Sequence, residues 1–250
     1  MGKLEDRIAI ITGSASGLGQ GMAELFAREG AKVVVADLQT EAGEKLAASI
    51  GGIYLHCDVT DPASVEGMIQ EAARNYGRID ILVNNAGIDG EQASTAESSL
   101  ENWRKVMSIN IDGVYYGMKY VLPFMVEQQG GVILNTASTV GLNALGAIPA
   151  YSASKAGVVH LSKSVAIEYA MYNIRVNSIC PSVVETPLLK HFISATPDPE
   201  GARKGLAAMN PLPGMVTIDA VAKAALFLVS DDAAFITAVA LPIDGGYTAR

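Results

Sequence analysis

The sequence predicts an α/β fold: a single domain, residues 1–250, on a doubly wound parallel sheet of about seven strands with helices on both faces. Three observations predict it. Short apolar, β-branched runs recur along the chain, segments of helical periodicity separate them, and no compositional break divides the 250 residues. Strands that are continuously apolar are covered on both faces, the pattern of a parallel sheet between helical layers.

The candidate strands, in order, are "RIAIIT" (7–12), "KVVVAD" (32–37), "IYLHCD" (53–58), "IDILVN" (79–84), "GVILNT" (131–136), "RVNSIC" (175–180) and "AVALPI" (238–243). Between the early ones lie "GQGMAELFAREG" and "PASVEGMIQEAARNYG", apolar at helical spacing and closed by turn glycines. Longer helical patterns cover 101–128 and 150–171. One stretch breaks the rhythm: residues 186–216 hold five prolines and no convincing strand. A connection of that length inside a compact domain points to a substrate-covering insertion of loop and helix. Leu188, Leu189, Phe192, Ile193 and Met209 would give it an apolar face, opposite Asn143, Leu145 and Ile148.

Composition excludes several function classes. Half the residues are apolar and 18% charged, which suits a packed globular protein rather than a disordered one. A net charge of −8 argues against nucleic acid as a partner, since phosphate backbones are held by basic patches. No apolar run reaches membrane-spanning length. Cys57 and Cys180 have no paired spacing and His56, His160 and His191 no ligand spacing, so neither a disulfide framework nor a metal site is expected. A cytoplasmic protein is the default expectation.

The first strand runs into "TGSASGLGQG" (12–21). Glycines 13, 17 and 19 between a strand and a helix form a dinucleotide-binding turn: Gly13 for the tight bend, Gly17 and Gly19 for pyrophosphate against the helix N-terminus. Asp37 closes the second strand, where a carboxylate meets the adenosine ribose and repels a 2′-phosphate. Ser14, Ala15 and Leu38 supply no cation, so NAD is expected over NADP. Asp58 is open between an adenine contact and a helix cap.

"PAYSASKAG" (149–157) places Tyr151 and Lys155 one helical turn apart. A free phenol has a pKa of about 10; making it a base near neutral pH takes roughly 3–4 kcal/mol of preferential stabilisation. A nearby ammonium and an oxidised nicotinamide ring both favour the phenolate.

Taken together, "TGSASGLG", "NNAG" (84–87), Asn110, Ser138 and "YSASK" (151–155) resemble the short-chain dehydrogenase/reductase family, in its short single-domain branch. The likeness runs from the first strand to "PIDGG" near the C-terminus and implies a Rossmann-type sheet. It places cofactor contacts on Gly13, Ser16, Gly17, Leu18 and Gly19, then on Asp37, Asp58 and Val59. Further contacts fall on Asn85, Ala86 and Gly87, and on the nicotinamide side on Tyr151, Lys155, Pro181, Val184 and Thr186. Asn84 is implied as a sheet tether. The implied catalytic set is Asn110, Ser138, Tyr151 and Lys155: Tyr151 as general base or acid, Ser138 on the substrate oxygen, Lys155 on the ribose, Asn110 holding a water. Where the family has Pro-Gly after the sixth strand, this chain has Pro181-Ser182, whose side chain would crowd the nicotinamide or reshape the pocket.

The activity expected is hydride transfer between NAD(H) and a secondary alcohol or ketone, lipophilic or cyclic. The alternative is a catalytically silent NAD-binding sensor or scaffold on the same fold. The family's habit implies a homotetramer.

Overall fold

The computed structural model describes residues 2–194 and 196–249, without the side chains of Pro187, Leu188, His191 and Phe192. Seven strands form one parallel sheet: β1 Ile8–Thr12, β2 Lys32–Asp37, β3 Ile53–His56, β4 Ile81–Asn84, β5 Gly131–Thr136, β6 Ile174–Pro181 and β7 Ala240–Ile243. Their spatial order is β3-β2-β1-β4-β5-β6-β7. The chain winds outward from β1 through β2 to β3, then returns to β4 on the other side of β1. That reversal opens a crevice beyond the carboxyl ends of β1 and β4, where a doubly wound sheet binds its ligand.

Alternate side chains of each strand enter different cores. Ile10, Val34, Leu82, Ile133 and Val176 face α3 (Pro62–Tyr76), α5 (Gly113–Gln128) and α6 (Pro149–Tyr169). Ile11, Val33, Val35, Ile81 and Val83 face α1 (Gly17–Arg28), α2 (Thr40–Ile50) and α9 (Ile218–Val229). All five residues of β1 are buried, so the apolar run that predicts this strand has no solvent face at all. Each predicted strand is present. The third stops at His56 because Asp58 leaves the sheet in a turn, its Oδ1 accepting from the Thr60 amide at 2.9 Å and the Thr60 hydroxyl at 2.8 Å.

The long helical pattern beginning near 101 is not one regular helix. α4 (Leu100–Met107) passes through a π-helical turn, Ser108–Asp112, before α5 continues. Residues 186–216 contain α7 (Pro187–Ser194) and α8 (Pro199–Ala207). The segment is pinned at its base by a parallel bridge between Val184 and Val216. Among the described residues no helix is long and apolar enough to cross a membrane, and no cluster of potential metal ligands occurs.

Candidate active site

A cleft of about 870 Å³ opens at the carboxyl edge of the sheet, its wall drawn from the ends of β1 through β6. At its β1 side, Gly13 and Gly17 have φ of 62° and 57°. A Cβ on Gly13 would lie 2.7 Å from Cα of Ala86, so the turns after β1 and β4 touch at a distance that only glycine allows. Gly17 faces the cleft, and a Cβ there would meet nothing within 4 Å. α1 starts at Gly17 with Ser16 extended and contributing no side-chain cap. The amides of its first turn therefore stay available to an anion. Open space beside a left-handed glycine, uncapped amides and a cleft of this size fit the pyrophosphate of a dinucleotide.

Asp37 stands at the end of β2, 8% exposed, on the cleft wall. Its Oδ2 accepts from the Ala15 amide at 2.9 Å and its Oδ1 from the Gln39 amide at 3.0 Å. These bonds fix the carboxylate beside the glycine turn and leave lone pairs for a ribose diol.

At the opposite end, α6 carries Tyr151 and Lys155 into the cleft, with the Lys155 Nζ 5.7 Å from the Tyr151 ring centre. Nζ donates to the Thr136 carbonyl at 2.8 Å, which sets the lysine against the end of β5. Ser138 follows β5 in extended conformation and opens a tight turn, Thr139–Gly141. That turn lies directly on α6: a Cβ on Gly141 would come within 2.7 Å of the Lys155 carbonyl carbon and oxygen. Gly141 thus brings Ser138 up to Tyr151. Behind them Asn110, fully buried in the π turn, accepts from the Ile88 amide at 2.9 Å. Its Nδ2 donates to the Ile88 carbonyl at 2.9 Å and the Ser154 hydroxyl at 3.1 Å.

The electrostatics differ from the expectation that Lys155 acidifies the phenol. Burial pushes Tyr151 up to about 12; the Asp89 carboxylate raises it further, while a hydrogen bond with Ser138 lowers it. Burial also pushes Lys155 down to about 8, opposed by the negative field of Asp89. Desolvation of the phenolate is the largest influence on Tyr151, so in the protein alone its hydroxyl keeps its proton to a higher pH than free tyrosine.

The model of a family described as enoyl-(acyl carrier protein) reductase matches residues 13–248. Cyclohexanol dehydrogenase of Acinetobacter sp. (strain SE19) is 36% identical over 253 residues, 99% of this chain and 97% of that protein. Levodione reductase of Leifsonia aquatica is 37% identical over 257 residues, 99% and 96% of the two chains. The crystal structure of 3-ketoacyl-(acyl-carrier-protein) reductase from Brucella melitensis complexed with NADH superposes with a TM-score of 0.91 at 36% identity, covering 98% of this chain and 99% of that one. The chain belongs to the short-chain dehydrogenase/reductase family. It is accordingly an oxidoreductase that uses a nicotinamide cofactor.

Against the family's pattern, most expected residues gather in the cleft: Gly13, Ser16, Gly17 and Leu18 at one end, Ser138, Tyr151, Lys155, Pro181, Val184 and Thr186 at the other. Asp37, Asp58, Val59, Asn85, Ala86 and Gly87 line the stretch between. Two do not. Gly19 lies off the wall, where a Cβ would strike the Gly13 carbonyl oxygen at 2.3 Å, so only a glycine lets α1 start this close to its own turn. Asn110 is also off the wall, its amide occupied by Ile88 and Ser154, which leaves little of that side chain for a water. Asn84 is tied to Asn135 at 2.9 Å, as a sheet tether should be. Asn85 reaches the cleft, yet its own carboxamide is spent on the Thr12 and Gly13 carbonyls, both at 3.1 Å.

Asp58 is not the cap of α3, since Asp61 takes that role through the Ala63 amide. Ser182 lines the cleft, and its hydroxyl donates to Asn210 Oδ1 at 2.9 Å, which ties the end of β6 to the 186–216 segment. Asn143, Leu145, Ile148, Leu189, Ile193 and Met209 lie off the cleft lining, and Leu145 is exposed. The side chains of Leu188, His191 and Phe192 fall outside the described residues. Sequence reasoning missed Asp89, which sits on the wall just past "NNAG", and Gly141, whose only signal is a glycine three residues after Ser138.

Proposed function

We propose that this enzyme transfers hydride between NAD(H) and a small secondary alcohol or ketone, with Tyr151 as the proton acceptor or donor. One observation carries it: Ser138, Tyr151 and Lys155 converge on one end of a cleft whose other end is a dinucleotide cradle. The relatives named above for cyclohexanol and levodione support a cyclic substrate. The bound nicotinamide supplies the hydride acceptor or donor and, when oxidised, a positive charge. The protein's residues do the rest. The Ser138 hydroxyl donates to the substrate oxygen and steadies charge developing there. The Tyr151 hydroxyl group, within reach of Ser138, takes the alcohol proton or returns it to a carbonyl. Lys155 binds the ribose and holds its ammonium beneath the phenol. Because burial raises the pKa of the Tyr151 phenol, proton removal would draw on the positive charge that an oxidised nicotinamide would supply.

NAD is preferred over NADP in this reading. Asp37 would face a 2′-phosphate with negative charge at the same edge. The cations on the cleft wall, Lys105 and Lys155, belong to α4 and α6 rather than to the turns around Asp37. The test is initial-rate kinetics on cyclohexanol and related ring alcohols with each cofactor. Faster turnover per unit affinity with NAD is expected; superiority of NADP would refute the cofactor assignment, and no reduced cofactor from any alcohol or oxidised cofactor from any ketone would refute the activity.

A further inference from the structure

We propose that Asp89 sets the charge preference of the substrate site, favouring alcohols and ketones that carry an ammonium group and rejecting those that carry a carboxylate. The inference rests on the dehydrogenase reading above and deepens it to a substrate class. Among the described residues the cleft wall holds three carboxylates, in two places. Asp37 and Asp58 belong to the adenosine end, where their fields act on Cys57. Asp89 belongs to the catalytic end, where its field acts on both Tyr151 and Lys155. A substrate whose oxygen rests between Ser138 and Tyr151 brings its remaining atoms into this negative field.

The backbone that carries Asp89 is held in place on both sides. The residue before it, Ile88, is clamped through both its amide and its carbonyl by Asn110. Two residues after it, the Glu91 amide donates to Asn102 Oδ1 at 2.8 Å, with Gly90 between them at a φ of 75°. A Cβ on Gly90 would strike Val106 at 2.5 Å, so the loop is pressed onto α4. Glu91 itself is engaged by the Ser99 amide and hydroxyl. Among the described residues Asp89 makes no hydrogen bond or ion pair, and its carboxylate is exposed. Two cations share the cleft wall, Lys155 on the Thr136 carbonyl and Lys105 on α4, and neither forms an ion pair with Asp89. An unpaired carboxylate carried on a fixed backbone at the cleft wall is a charge filter, since a substrate cation gains and a substrate anion loses on entry.

The test uses cyclohexanols bearing an ammonium, a methyl or a carboxylate group across the ring from the hydroxyl, assayed by reduction of NAD. For the unaltered enzyme, kcat/KM should fall in the order ammonium, methyl, carboxylate, with on the order of tenfold between the extremes for one partly solvated charge. Asp89→Asn should collapse that ratio toward unity, Asp89→Glu should preserve its order, and raising the salt concentration should shrink it. A flat or inverted order in the unaltered enzyme, or an order unchanged in Asp89→Asn, overturns the assignment. Turnover of none of the three alcohols would instead count against the dehydrogenase reading itself.

Discussion

Tyr151 and Lys155 illustrate how far one residue's chemistry depends on its surroundings. Four-residue spacing on a helix identifies the pair, but it does not reveal that burial drives the phenol up and the ammonium down. The cofactor-free enzyme should therefore show no tyrosinate absorbance from Tyr151 until the pH nears 12, in difference spectra against Tyr151→Phe. The same variant should lose about 10²–10⁴-fold in kcat while keeping its affinity for NAD; retention of most activity would remove Tyr151 from the mechanism. Lys155 carries a stability consequence with a definite sign. Its pKa falls from 10.5 unfolded to about 8 folded, so between those values the unfolded chain binds a proton that the folded protein lacks. Stability must then rise with pH across that window. Relative to Lys155→Met, the melting temperature of the cofactor-free protein should climb between pH of about 8 and 10.5; a constant difference would mean that Lys155 titrates normally.

At the scale of elements, what was legible from sequence follows from periodicity and what was not follows from close packing. The seven strands could be read because the central ones, β1 and β4, are buried throughout and so written in largely apolar runs, while the partly buried edge strands β3 and β7 show as short runs of the same kind. The π turn at Ser108–Asp112 could not, since its hydrophobic pattern runs on through α5 and only the buried Asn110 marks the irregularity. Asn143, Leu145 and Ile148 are close in sequence to Ser138 and Tyr151, and between them and Ser138 the chain turns at Gly141. That glycine matters more than its neighbours. Gly141→Ala would force its methyl against the α6 backbone at 2.7 Å, where no flexible side chain can give way. The turn must lift, and Ser138 with it. A displacement of about 1 Å at the reacting centre costs on the order of 10²-fold, so kcat should fall by roughly that factor. Affinity for NAD, held mainly by the β1 turn and Asp37, should change little. Equal losses in both would show that the turn supports the whole cleft rather than Ser138.

For the whole molecule, the decisive feature is that one cleft draws on both halves of the sheet. The glycine turn and Asp37 hang from β1 and β2, while Ser138, Tyr151 and Pro181 hang from β5, α6 and β6. Sequence alone shows these two sets as motifs more than a hundred residues apart; the reversal of strand order beside β1 is what brings them together. A ligand spanning them is bound by the folded chain and not by the unfolded one, so it must stabilise the whole domain. At a hundred times its dissociation constant NAD should add about 2.7 kcal/mol. For a domain of this size each kcal/mol raises the melting temperature by roughly 2–4 °C, predicting an increase of about 5–10 °C. Asp37→Ala should require more NAD to reach the same shift, because the ribose loses its anchor at one end only. Tyr151→Phe should reach it at nearly the same concentration, because the phenol's task is proton transfer. Were Asp37→Ala to leave the NAD titration unmoved, the adenosine end of the dinucleotide would not lie beside β2, and the expected preference over NADP would lose its physical basis.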